Sequence, residues 1–312
     1  MDRNEFIKAS SLAFFGCLAA PANAGRPTLA AFTTIKEQNM KKVPLTLLTG
    51  LDIGESPRWH DGRLWFCNWI KQEVVAMDIG GKMEVILKLP FPSFPFSIDW
   101  LPNGKLIVVS NSDQPLMQRE SDGSLTSVAD LSTTNIKVWN EIVIDGKGNI
   151  YINGANSIVL VTATGSVRKQ TDGLSFPNGM IITPDNSKLV VAESFGKKLT
   201  AFDISSDGSL LNKRVWADLN GGAPDGICLD GDGCIWYADV PNKCCVRARE
   251  GGEVVEKFAL DRGGFACALG GKRRKTLFVM AAQWYGFDKI NDSKGTGQVQ
   301  AFNVSTKGVG YP

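Results

Sequence analysis

Histidine is almost missing from this chain: His60 stands alone among 312 residues. Serine and cysteine nucleophiles are usually activated by an imidazole, and catalytic zinc usually sits on two or three. Most such mechanisms would have to run through one residue. His60 lies in Trp59-His60-Asp61-Gly62, a polar turn between apolar segments, where an exposed, structural role is expected. Also missing are a G-x-S-x-G elbow, a G-x-x-x-x-G-K-[ST] phosphate loop and a G-x-G-x-x-G fingerprint, which removes nucleotide chemistry and the common hydrolase triads. The net charge of +2 supplies no long-range field for polyanions. The one dense basic run, Lys272 to Lys275, reads as a solvated turn before the apolar strand Thr276 to Met280, so no nucleic-acid partner is expected.

The N-terminus reads as a targeting segment. Arg3 and Lys8 flank the start, Ala9 to Ala22 is nearly free of charge, and Ala22-Asn23-Ala24 offers a small-residue cleavage site. The apolar run, about fourteen residues, is shorter than the roughly twenty that span a bilayer, so no stable membrane span is expected. Arg3-Asn4-Glu5-Phe6-Ile7-Lys8 resembles a twin-arginine export signal with Asn4 in the place of the second arginine. The expected layout is an export signal over 1–24, a linker over 25–43 and one catalytic domain over 44–312. It implies a periplasmic or secreted protein; the alternative is an uncleaved amphipathic helix on a cytoplasmic one. Beyond the signal, Cys67, Cys228, Cys234, Cys244, Cys245 and Cys267 form no C-x-x-C pair and read as buried thiols on strands.

What is abundant is glycine, 33 residues, and it punctuates a repeat. Leu64-Trp65-Phe66, Leu106-Ile107-Val108, Ile150-Tyr151-Ile152, Leu189-Val190-Val191, Ile235-Trp236-Tyr237 and Leu277-Phe278-Val279 recur with a period of about forty residues, the spacing of propeller blades. Pro102-Asn103-Gly104, Asp145-Gly146-Lys147-Gly148, Pro184-Asp185-Asn186 and Asp230-Gly231-Asp232-Gly233 supply hairpin chemistry before four of these runs. The aspartates are turn residues and not an EF-hand, whose closing glutamate is missing. The spacing predicts an all-β, six-bladed β-propeller in which Val43 to Thr49 forms an N-terminal strand closing the last blade. Lys289 to Gly297 reads as loop and Gln298 to Val304 as a late strand. Nothing in the pattern marks an interface, so a monomer is expected.

The innermost strands of a propeller line its channel, so equivalent starts of those strands converge. Those starts read Gly54-Glu55-Ser56-Pro57, Trp139-Asn140-Glu141, Pro177-Asn178-Gly179 and Pro224-Asp225-Gly226. Each alone could be a turn or a strand entry. Together they bring two carboxylates and two amides to one mouth, a set that resists burial unless a cation sits among them. All-oxygen ligation favours one hard divalent cation, Ca²⁺ first, then Mg²⁺ or Mn²⁺, with Zn²⁺ as a further choice.

These segments, with Arg58-Trp59, Met180, Pro184-Asp185 and Asp230, resemble the signatures of the SMP-30/gluconolactonase/luciferin-regenerating enzyme family, from about residue 44 to the end. The resemblance implies that Glu55, Asn178 and Asp225 hold a divalent cation, that Asn140 contacts substrate, and that Asp225 is the catalytic proton acceptor and donor. The implied activity is metal-assisted opening of a lactone. In the family's sugar lactonases an arginine often stands two residues before the substrate asparagine; here that place is Val138, beside Lys137. With Trp139 adjacent, a less polar lactone or ester is expected. Glu193 reads as a surface carboxylate. Two segments, Pro90 to Phe96 and Gln283 to Asp288, are the expected lids over the channel. The alternatives are hydrolysis of a phosphoester or phosphofluoridate by the same cation, and a non-catalytic calcium-binding propeller.

Overall fold

The six apolar runs become the second strands of six antiparallel sheets arranged as a six-bladed β-propeller. The computed structural model describes residues 43–311; the expected signal at 1–24 and the linker up to residue 42 lie outside the described residues. The inner strands are Gly54–His60, Ser97–Trp100, Ile142–Ile144, Pro177–Ile182, Pro224–Asp230 and Gly263–Gly270, each paired antiparallel to the run that follows it.

The runs lack polar alternation because blades press on both of their faces. Leu106–Val109 and Ile150–Gly154 are buried at every position, whereas the outermost strands Met83–Lys88 and Val167–Thr171 mostly reach solvent. The core is therefore a ring of interblade layers. In one of them Tyr151, Ile158 and Leu160 of the third blade pack against Met180, Leu189 and Val191 of the fourth. Burying one such aliphatic or aromatic side chain stabilises by about 1.5–3 kcal/mol.

The hairpins follow the turn chemistry. Asp145 Oδ1 accepts the backbone N–H groups of Lys147 and Asn149 at 2.9 and 2.8 Å, and Asp230 Oδ1 those of Asp232 and Cys234 at 2.9 and 3.2 Å. Gly148 and Asn186 take the left-handed positions, at φ +85° and +57°. The six cysteines are buried and free; five lie on strands, and Cys234 lies just before Ile235–Asp239.

The ring closes non-covalently. Leu45–Leu51 pairs antiparallel with Gly297–Asn303 from Leu45 opposite Ala301 to Leu51 opposite Gly297, so the first strand is the outermost strand of the last blade. Closure in this manner leaves only short sheet edges. The loop before Gly297 contains a 3-10 helix at Phe287–Ser293 that the sequence did not reveal. A second surprise is the chain end. Gly308–Val309 adds to the channel-facing edge of Pro224–Asp230, and Tyr311 exchanges backbone hydrogen bonds with Ile182 at 2.6 and 2.9 Å. Both contacts lie at the ends of the inner strands, away from their starts. Among the described residues no helix is long and apolar enough to cross a membrane.

Candidate functional site

Four inner strands carry a register shift near their starts: between Glu55 and Arg58, Pro177 and Met180, Pro224 and Ile227, and Gly264 and Ala266. A bulge bends a strand and re-aims its side chains. At the first three it leaves Glu55, Asn178 and Asp225 lining one cavity at the channel mouth, joined there by Asn140 from the residues before Ile142–Ile144. All four residues expected from the sequence are brought together.

Asn178-Gly179 and Asp225-Gly226 have the composition of turns, yet they lie inside strands, and neither glycine takes a positive φ. Close approach explains them. A Cβ on Gly179 would lie 2.6 Å from Ile227 N and 2.7 Å from the Asp225 carbonyl oxygen; one on Gly226 would lie 2.4 Å from Ala266 Cβ. Hydrogen at these positions lets neighbouring inner strands converge.

The amides are held from behind. Asn111 clamps the Trp139 backbone, accepting its N–H at 2.7 Å and donating to its carbonyl at 3.0 Å. Asn140 Nδ2 donates to Asn178 Oδ1 at 3.2 Å and to the Pro177 carbonyl at 3.3 Å, and Asn153 Nδ2 donates to the Asn178 carbonyl at 2.5 Å. Ser194, which the sequence reasoning missed, donates to the Pro224 carbonyl at 2.7 Å and lines the same floor.

The carboxylates are not satisfied. Glu55 Oε2 accepts the Ser56 N–H at 2.8 Å, but Glu55 Oε1 and Asp225 Oδ1 are buried without a hydrogen-bond partner among the described residues. Burial raises the Glu55 pKa well above its ordinary value, with the charges of Asp225 and Glu141 adding to it. Asp225 is raised in the same way, first by burial, then by Asp239 and Glu141. Two desolvated carboxylates that repel each other, each with a free oxygen, fit a hard divalent cation. Among the described residues no group of three His, Cys, Asp or Glu side chains is placed to hold a metal. The amide oxygens of Asn178 and Asn140 would have to complete the set.

Beneath the floor lies a buried charge network. Arg58, 5% exposed, donates to Glu141 Oε1 at 2.9 Å and to the Ile142 carbonyl at 2.8 Å, with Asp99 Oδ1 4.0 Å from its Nε. Glu141 also accepts from the hydroxyls of Ser97 and Ser56. Sequence reasoning assigned neither Arg58 nor Glu141 a role. The available signal was a charged residue in each of two otherwise buried inner-strand segments.

The cavity and the open solvent at its mouth together occupy about 560 Å³. Phe94 and Pro95 from one expected lid, and Trp284 and Phe287 from the end of the other, wall it together with Trp69 and Phe265. Trp139 does not take part: it is 3% exposed and packs with Ile107, Ile142 and Ile152 between blades. Its neighbour Val138 is buried as well, and Lys137 is exposed and not among the cavity-lining residues. The reason Trp139 gave for a less polar substrate is therefore withdrawn. Glu193 is not a surface carboxylate either. It is 1% exposed, where it accepts the Ser175 N–H at 2.7 Å and the Thr200 hydroxyl at 2.5 Å. His60 is half-buried at the far end of its strand and stacks on Trp100 with ring centroids 4.1 Å apart, outside the cavity lining.

A family profile described as "SMP-30/Gluconolactonase/LRE-like region" matches residues 53–283. Regucalcin of Xenopus laevis is 24% identical over 74% of the chain and 83% of its own length. A pentonolactonase of Haloferax volcanii is 22% identical over 85% and 94%. Diisopropyl-fluorophosphatase of Loligo vulgaris is 24% identical over 54% of the chain, a match that spans 63% of that enzyme. Among solved structures, a calcium-binding protein, regucalcin, from Agrobacterium tumefaciens superposes with a TM-score of 0.73 at 22% identity, covering 87% of this chain and 97% of that one. The gluconolactonase XC5397 from Xanthomonas campestris gives 0.67 at 18%, over 83% and 89%.

Proposed function

Since this chain belongs to the SMP-30/gluconolactonase/LRE-like family, we propose that it is a divalent-cation-dependent hydrolase that opens the ring of a lactone. The observation that carries the reading is the pair of buried, unpartnered carboxylate oxygens, Glu55 Oε1 and Asp225 Oδ1, at the convergence of bulged inner strands. The names of two relatives, pentonolactonase and 6-deoxy-6-sulfogluconolactonase, support the reaction class, and a calcium-binding regucalcin supports the cofactor.

Glu55, Asn178 and Asp225 would hold the cation, Ca²⁺ by preference for an all-oxygen set, and Asn140 would orient the substrate carbonyl. When bound, such a cation supplies Lewis-acid polarisation and charge stabilisation at the carbonyl oxygen. Asp225 accepts the proton of the attacking water as the new C–O bond forms, then returns it to the alkoxide oxygen released when the ring C–O bond breaks. Proton transfer thus needs no imidazole, consistent with the position of His60 outside the cavity.

Titration calorimetry with Ca²⁺, Mg²⁺, Mn²⁺ and Zn²⁺, followed by hydrolysis of a lactone panel, tests the reading. Cation binding with turnover, lost in Asp225→Asn, is expected. Undiminished hydrolysis in that variant would remove Asp225 from the mechanism, and cation binding with no turnover would mark a calcium-binding scaffold. The match to diisopropyl-fluorophosphatase favours a second reading, hydrolysis at phosphorus by the same floor; activity on a phosphofluoridate exceeding that on every lactone would establish it.

A further inference from the structure

The cavity divides into a polar floor and an apolar wall, and the division specifies what the substrate carries. The oxygen-bearing side chains that line it, Glu55, Asn140, Asn178, Ser194 and Asp225, all belong to the floor, and among the described residues no lysine, arginine, histidine or glutamine side chain lines it. These floor groups are committed to the cation, to the reacting carbonyl, or to one another through the contacts among Asn140, Asn178 and Ser194.

Above them runs a continuous aromatic arc. Trp69 meets Phe94 edge to face at 5.0 Å, Phe94 meets Phe287 at 6.3 Å, Phe287 meets Trp284 at 4.8 Å, and Trp284 meets Phe265 at 5.6 Å. The Trp69 indole N–H is already donated to the Phe96 carbonyl at 2.7 Å. Phe176, stacked on Phe195 at 4.3 Å, also lines the cavity. The arc draws on residues 69, 94, 265, 284 and 287, which lie in or beside three different blades, so it is assembled by the fold and not by one greasy loop.

From this we propose that the natural substrate is a hydrophobic lactone, one whose ring bears an alkyl or aryl group where a sugar-acid lactone bears hydroxyls. The inference rests on the lactonase reading. A ring hydroxyl facing the Phe94, Phe265 and Phe287 rings would lose its water and meet no side-chain hydrogen-bonding group there, which is costly, whereas an alkyl or aryl substituent would exchange water for aromatic surface.

The test uses the full chain with Ca²⁺ and three lactones that share one six-membered ring: δ-decalactone, δ-valerolactone and glucono-1,5-lactone. The expected order of kcat/KM follows that sequence, with about a 100-fold span between the ends, the factor left by one or two unpaired hydroxyls. Turnover of glucono-1,5-lactone equal to or faster than that of δ-decalactone would overturn the inference while leaving the lactonase reading intact. If none of the three is hydrolysed, that reading fails by itself, and quenching of tryptophan fluorescence decides the inference. Tighter binding of δ-decalactone than of glucono-1,5-lactone supports an apolar ligand; equal binding, or binding of neither, removes it. In Trp284→Ala and Phe287→Ala the ratio of kcat/KM for δ-decalactone to that for glucono-1,5-lactone is expected to fall about tenfold. This ratio is taken within one variant and does not depend on the fraction that folds; an unchanged ratio in both variants counts against the arc as the specificity surface.

Discussion

Gly179→Ala probes how the site is assembled without touching a single oxygen that faces the cavity. The added methyl would sit 2.6, 2.7 and 2.8 Å from Ile227 N, the Asp225 carbonyl oxygen and Gly226 Cα. Ordinary contact begins near 3.4 Å, so the inner strands carrying Asn178 and Asp225 must separate by roughly 0.6–0.8 Å, an overpacking strain of about 1–3 kcal/mol. For a domain of this size each kcal/mol lowers Tm by about 2–4 °C. The same displacement matters more to a cation whose oxygens must lie about 2.3–2.6 Å away. Ca²⁺ affinity is expected to fall about 10–100-fold, the usual effect of disturbing what supports a ligand set. Scanning calorimetry in chelator and titration calorimetry with Ca²⁺ give the two numbers. Gly104→Ala is the control: it sits at φ +83° with nothing within 4 Å of its Cβ, so it should lower Tm and spare the affinity. Stability lost in both variants with affinity retained in both would refute the idea that interblade approach sets the cation site.

The raised pKa values of Glu55 and Asp225 mean that the cation-free native state holds more protons than the unfolded chain once pH exceeds their ordinary values of 4.5 and 3.8. Cation-free stability should therefore fall as pH rises from that point through the raised native values, while Ca²⁺ affinity should rise over the same window with release of protons. Melting curves and buffer-dependent binding enthalpies read both slopes, and a Ca²⁺ affinity flat with pH would contradict them. Glu141→Gln removes the nearer of the two ion-pair partners of buried Arg58, leaving Asp99 at 4.0 Å; a loss of about 3–5 kcal/mol is expected from denaturant unfolding, and an unchanged midpoint would mean the pair is dispensable. His60→Ala removes a ring stacked on Trp100 outside the cavity, so kcat/KM should stay close to the parent's. A loss as severe as that of Asp225→Ala would reinstate a histidine mechanism.

The blade period, the hairpin turns and the closing first strand were legible because each depends on short-range rules. An apolar run buried on both faces looks the same in all six blades, and Asp145, Gly148 and Asn186 take the turn roles their chemistry favours. The convergence of four candidate residues was legible for a related reason: once the repeat is recognised, equivalent strand starts must converge, and Glu55, Asn140, Asn178 and Asp225 do line one cavity.

Orientation was not legible. Trp139 and Glu193 both turn into the protein, the first into an interblade layer and the second onto the Ser175 amide and the Thr200 hydroxyl. Which way a side chain points near a strand end depends on what lies opposite, and one sequence window does not contain that partner. The aromatic arc, the Arg58–Glu141 pair and the chain end beneath the channel each join residues remote in sequence. Repeat and turn chemistry thus settled the fold and the positions from which a site could be built. The bulges, the glycine contacts between blades and the packing of three blades around the mouth decided which atoms face the cavity, because those are relations between strands and exist only once the ring has closed.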